Sequence, residues 1–282
     1  MNTNYLVVSN PPHPSADAAK AAVYFGLTAA EARMKINFPA PEIWLTDSDQ
    51  QVMADVQSSL ADCGVNTIVL QGDDLLRVPR QTVVTSLSSG GPQLTVHTGE
   101  GEMGLNYSAL VYGVYCKPAA DVFMGAHKGA NIAGDLGRPS SSVMLDRLSH
   151  TSSSMQRETE KAGSAAFLDL YVTLDGEDRR FSFVAGTTDF SALESVGRDP
   201  LYAFVVDCER RFSALSLDRR LENVRVRARA VVGQTLPGQE QRKLFSFGSM
   251  ALAKLLDDIS PDLHELTQNE LGSRLSYLMS RL

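Results

Sequence analysis

Tyr5-Leu-Val-Val-Ser-Asn-Pro-Pro-His-Pro14 sets a short apolar run against a turn cluster, and the stretch that it opens, ending at Gln71, decides the fold. Two short helical patterns follow, then a second apolar run, Glu42-Ile-Trp-Leu-Thr46. A longer helical pattern and a third run, Thr67-Ile-Val-Leu70, complete the order β-α-α-β-α-β. The expectation is a small α+β module over residues 1–78.

Local signals within the stretch agree with that order. Ser15 is placed to cap a first helix whose Ala19, Ala22, Val23 and Phe25 form an apolar face, and Gly26 breaks it. Thr28-Ala-Ala-Glu31 is a capping box, in which the threonine oxygen and the glutamate carboxylate each receive an orphan amide. The second helix ends near Asn37, because Phe38-Pro-Ala-Pro41 cannot continue it. Asp47 or Ser48 is expected to start the third. Its Val52, Met53, Val56 and Leu60 share one side, and Gly64 stands just past its end.

The same residues carry a resemblance. Gly26-Leu-Thr-Ala-Ala-Glu-Ala-Arg33, followed by Leu60-Ala-Asp-Cys-Gly-Val65 before a β-run, is similar to the C-terminal domain of the bacterial ribosomal stalk protein. That family starts a helix with Gly-Leu-x-x-x-Glu-Ala-Lys and ends one with Leu-x-x-x-Gly-Ala. The resemblance implies the fold and a binding role in a bacterial cytosol. Stalk-family lysines around that helix pair dock translation factors; here only Lys20, Arg33 and Lys35 stand there, so factor docking does not carry over.

Composition sets outer bounds. At 282 residues the chain is long enough for two cores, and 43% hydrophobic with 21% charged residues fits a folded chain. A net charge of -7 disfavours nonspecific attraction to nucleic acid, and no nucleic-acid partner is expected. Cys63, Cys116 and Cys208 lie far apart, which suits reduced thiols of a cytoplasmic protein better than a disulfide framework. No apolar run approaches the roughly 18 residues of a spanning helix, so none is expected, and with a strand pattern following Met1–Asn4 directly no export signal is expected either.

Beyond Pro79 the period becomes that of strands. Thr82-Val-Val-Thr85, Leu94-Thr-Val-His97 and Ala109-Leu-Val-Tyr-Gly-Val-Tyr115 predict an antiparallel meander, with Gly99-Glu-Gly-Glu-Met-Gly104 as a turn. Residues 117–164, punctuated by glycine and serine, read as a long mobile insertion. Phe167–Leu174 and Arg180–Val184 flank Asp175-Gly-Glu-Asp178, a solvated hairpin turn, and a helix is expected from Pro200 to about Leu217. The order of strands, loop, strands and helix over residues 79–217 resembles the pleckstrin-homology-like superfold; other split barrels share it. The fold class expected is therefore α+β, a β-α-α-β-α-β module followed by a mainly antiparallel β domain with C-terminal helices.

Residues 218–282 form the last expected unit. Val224-Arg-Val-Arg-Ala-Arg-Ala230 alternates like a strand, which would put Arg225, Arg227 and Arg229 on one face; as a helix they would spread around the axis. Together with Arg219 and Arg220 they are a candidate surface for an anionic partner. The competing reading is a charged edge that resists aggregation. Phe247–Ile259 and Gln268–Leu282 read as amphipathic helices. In the latter, Leu271, Leu275, Leu278 and Leu282 share a stripe that the same chain, a partner helix or a second copy must cover, and Arg281 suits the helix dipole.

Catalytic signatures are weak. None of the 5 histidines stands near another His or Cys, and Gly-x-x-x-x-Gly-Lys-Ser/Thr and Gly-x-Ser-x-Gly do not occur. Cys116-Lys117 sets a thiol beside a cation, but Cys116 closes an apolar run and reads as structural. The expectation is a noncatalytic protein-interaction or scaffold protein without cofactor, acting through a protein partner or self-association. The alternatives are an enzyme with dispersed site residues and an anion- or membrane-surface adaptor using the arginine set.

Overall fold

Three strands, β1 (Tyr5–Ser9), β2 (Glu42–Asp47) and β3 (Thr67–Gln71), pair in the order β2-β1-β3, with β1 antiparallel to both neighbours. The computed structural model describes residues 5–25, 27–118, 165–193, 199–224 and 268–282. The expected insertion beyond Pro118, the helix at 247–259 and the segment 225–230 lie outside the described residues.

Helices α1 (Ala18–Phe25), α2 (Ala29–Ile36) and α3 (Gln50–Asp62) cover one face of this sheet. Val7, Trp44, Leu45, Ala32, Met53, Val56 and Leu60 share the core between them. The capping box forms as read: Thr28 Oγ1 accepts from Glu31 N at 3.2 Å, and Glu31 Oε2 accepts from Thr28 N at 2.7 Å. Two caps differ from expectation. Asp17 receives the amides of Ala19 and Lys20, three residues into the chain from Pro14, so α1 starts after Asp17 rather than at Ser15. Asp49, not Asp47 or Ser48, receives Gln51 N and Val52 N at the start of α3. A carboxylate on a short stem reaches both amides, which makes aspartate competitive with any nearby serine. Gly64 ends α3 at φ +72°, and a Cβ there would lie 2.3 Å from the Ser15 carbonyl oxygen, so glycine is required twice over.

After a 3-10 turn (Gly72–Arg77) the chain enters a second sheet: β4 (Gln81–Gly90), β5 (Gln93–Thr98), β6 (Gly101–Asn106), β7 (Leu110–Lys117), β8 (Phe167–Leu174), β9 (Glu177–Val184) and β10 (Ala214–Glu222). Their order is β10-β7-β8-β9-β4-β5-β6. The chain is α+β, and most of its strand pairs are antiparallel. The two exceptions are β4 with β9 and β7 with β10. Asp175-Gly176 turns β8 into β9 with φ of 54° and 83°, the geometry that an Asp-Gly hairpin provides.

The meander breaks in an informative place. β4, β5 and β6 are antiparallel neighbours, but β7 leaves β6 and pairs with β8 and β10. Of Gly99–Gly104, read as a turn, Gly99 and Glu100 do turn, while Gly101–Gly104 belong to β6, where pairing with β5 compensates for a weak apolar alternation. Strands five places apart in a flat sheet stand roughly 24 Å apart. Only Tyr107, Ser108 and Ala109 join β6 to β7, a reach of at most about 15 Å. The sheet must therefore curl until its ends approach, and Ser213 N donating to Tyr107 O at 3.1 Å fastens that closure.

Helix α4 (Pro200–Arg211) fills the concave side, with Leu201, Phe204, Val205 and Cys208 against Leu168, Leu170, Phe181 and Phe183. It stops well short of Leu217. Phe212 turns back into the core and residues from Ala214 onward form β10, because parallel pairing with β7 satisfies their backbone more fully than a longer helix would. The boundary expected at 217/218 thus falls inside a strand.

The C-terminal helix α5 (Gln268–Ser280) lies between the two sheets. Leu271 and Leu275 sit under Leu6, Val8, Ile43 and Leu70, on the face of the small sheet that α1–α3 leave open. That double covering is why Leu6, Val7 and Val8 form an unbroken buried run rather than an alternating one. On its other side Tyr277 packs with Tyr171, Val114, Leu221 and Phe38.

Candidate functional site

The densest polar arrangement lies beneath α5, on the convex face of the curled sheet. Strand alternation sends Leu168, Leu170, Phe181 and Phe183 inward, and turns Asp169, Tyr171 and Thr173 of β8 outward beside Ser182, Arg180 and Asp178 of β9. Each of these residues stands directly across the hairpin from its partner: Asp169 from Ser182, Tyr171 from Arg180, Thr173 from Asp178.

Asp169 and Arg180 are both fully buried and joined at 2.7 Å between Oδ2 and Nη2. Ser182 Oγ donates to the other carboxylate oxygen, and Ser273 Oγ of α5 donates to Oδ2 at 2.6 Å. With its proton committed there, Ser273 accepts from the Tyr171 hydroxyl at 3.0 Å. Tyr171 in turn stacks on Tyr277 with ring centroids 4.1 Å apart. Burial, and after it the charge of Arg180, holds the Arg274 guanidinium below its ordinary range.

A second anchor lies at the far end of the same face. Asp178 accepts from Thr173 Oγ1 at 2.6 Å, from Tyr277 OH at 2.6 Å and from Arg281 Nη2 at 3.1 Å. It is thus a bound strand residue and not the solvated turn acid that its sequence context suggests. The Thr173 and Tyr277 hydrogen bonds, with the Arg281 charge behind them, hold its carboxyl below the usual range. A carboxylate depressed on folding contributes stability that is fully present above its unfolded value of about 3.9 and lost as pH falls through the lower folded value. Thermal melts of wild type and Asp178→Asn should therefore differ at about pH 6 and draw together as pH falls below about 3.9. A gap that stays constant over that range would trace the loss to packing instead of charge.

The arginine set divides. Arg219 is clamped between Glu209 (2.8 Å) and Glu222 (3.0 Å) and lies over the Tyr115 and Tyr202 rings. Arg220 grips Asp218 at 2.8 Å and reaches the Pro11 carbonyl of the small module at 3.4 Å. Burial opposes the Asp218 carboxylate, but the hydrogen bonds and charge of Arg220 outweigh it and lower its pKa. Arg225, Arg227 and Arg229 lie outside the described residues. The leucine stripe divides too: Leu271 and Leu275 are buried against this same chain, Leu278 is half-buried, and Leu282 is exposed.

The three cysteines are buried and free, and desolvation pushes the Cys116 thiol up to about 12. That is the opposite of an activated nucleophile. An open groove of about 490 Å³ between α3 and β3 has a polar lining, but its Gln57 and Asn66 amides are already committed to Thr67 O and Pro12 O. Among the described residues no group of three His, Cys, Asp or Glu side chains gathers as a metal site, and no helix is long and apolar enough to cross a membrane.

Sequence reasoning missed Asp169, Arg180 and Ser273. A faint signal existed: Asp169 is the lone acid inside Phe167-Leu-Asp-Leu-Tyr-Val-Thr-Leu174, and hairpin register sets it opposite Ser182. Compared with protein-family models, curated proteins and solved structures, the chain matches none.

Proposed function

We propose that this chain is a noncatalytic protein-interaction or scaffold protein of a bacterial cytosol, presenting its helical module to a protein partner. The observation that carries the reading is the exposure of large apolar side chains on α1 and α2: Val23 is 84% and Met34 52% exposed, and Tyr24, whose hydroxyl bonds to Ser59 of α3, 55%. Large apolar side chains left exposed on a helix pair are what partner recognition uses, since burying one contributes about 1.5–3 kcal/mol. Support also comes from the polar network under α5, whose carboxylates are saturated by protein donors and act as anchors. The three separate buried thiols fit a reducing compartment.

The test is a binding comparison on the full chain. Val23→Asp combined with Met34→Asp should abolish capture of specific partners from a bacterial cytosolic extract, while the melting temperature stays within about 2 °C, because exposed substitutions cost little. Capture that survives both substitutions would remove this face from the interaction.

A further inference from the structure

We propose that α5 is a releasable strap: it leaves its seat as a unit while the helical module and the curled sheet stay folded, and its departure uncovers the second face of the three-stranded sheet. This goes beyond the interaction reading and does not depend on it.

The argument begins with which side chains build which core. The core of the curled sheet, with α4 inside it, contains no α5 residue. Neither does the core between α1–α3 and the small sheet. Helix α5 contributes only to the two clusters that lie between the modules. Removing it therefore takes nothing from either inner core.

The chemistry of the seat points the same way. Most helices bury an apolar stripe and expose the rest. α5 buries Asn269, Gly272, Ser273 and Ser276 alongside Leu271, Leu275 and Tyr277, so more of its buried positions are polar or small than are large and apolar. It is fastened by hydroxyls donating to two sheet carboxylates, Ser273 to Asp169 and Tyr277 to Asp178. Release costs the burial of Leu271, Leu275 and Tyr277 together with the two hydrogen bonds to carboxylates, and because water can take over those acceptors the whole cost stays confined to the seat. The Asp169–Arg180 pair remains together on the sheet whether or not α5 is seated, since both residues belong to the β8–β9 hairpin.

Amide hydrogen exchange on the full-length protein in mild urea, read by mass spectrometry, tests this. The amides of residues 271–278 should exchange through one common opening that is at least about tenfold more frequent than the openings of β8 and α3. Ser273→Ala should raise that opening about tenfold and leave β8 and α3 unchanged, because it deletes a hydrogen bond to a charged group in the seat alone. Tyr277→Phe, which loses only the hydroxyl given to Asp178, should move the same amides. A single cooperative opening shared by α5, β8 and α3 overturns the proposal. So does a pair of variants that accelerates all three elements alike, or none of them.

Discussion

Replacing Asp169 with alanine should lower the stability of the whole chain by about 3–5 kcal/mol, the cost of leaving a buried guanidinium without its counter-charge. Arg180 has no other carboxylate within hydrogen-bonding distance among the described residues, and it is fully buried. Ser182 and Ser273 lose their acceptor in the same stroke. Against a total stability on the order of 5–15 kcal/mol, the shift should be plain in a urea titration. The double variant Asp169→Leu with Arg180→Met separates charge from shape. It removes both ions and fills the space with apolar atoms, so it should recover most of the loss. If single and double variants fall equally, the pair is not what holds that part of the sheet, and packing is.

Leu275→Asp together with Leu278→Asp should unseat α5, with a loss of different character. Leu275 is 1% exposed, enclosed by Leu6, Val8, Ile43, Leu70 and Leu75. Each leucine buried there is worth about 1.5–3 kcal/mol, and a carboxylate in its place adds a desolvation cost. The loss has a ceiling, however: once the helix is out, no further penalty accrues beyond the free energy with which it docks. Trp44, the single tryptophan, lies in the core between α1–α3 and the small sheet, away from α5. Its emission should stay native, the amides of α5 should lose protection, and the mass by light scattering should not change. Loss of the Trp44 signal would show that the small module needs α5 to fold. A drop in mass would show that the stripe also serves an association between copies.

The first third of the chain was legible because its instructions are local. A capping box spans four residues, Gly64 answers to its own φ and a neighbouring carbonyl, and Asp175-Gly176 needs only the two strands it joins. Such signals act within one turn of chain, so Thr28, Glu31 and the three apolar runs establish the β-α-α-β-α-β order without help. The exposed apolar face of α1 and α2 was only half legible: Val23 counts as core by its spacing, and the fold turns it outward.

What the tertiary structure alone decided has long sequence separation. β7 abandons the meander because β8 and β10 offer better-covered edges once the sheet curls. The strand at 214–222 replaces the end of a helix because β7 is already in place to receive it. Ser273 meets Asp169 across a separation of 104 residues, and Tyr277 meets Asp178 across 99. A buried aspartate is unfavourable until its donors arrive, and nothing near residue 169 announces that one of them will come from the far end of the chain. Local propensity determines elements and their caps; the cost of desolvating a charge, repaid only by distant partners, determines which polar residues the finished fold encloses.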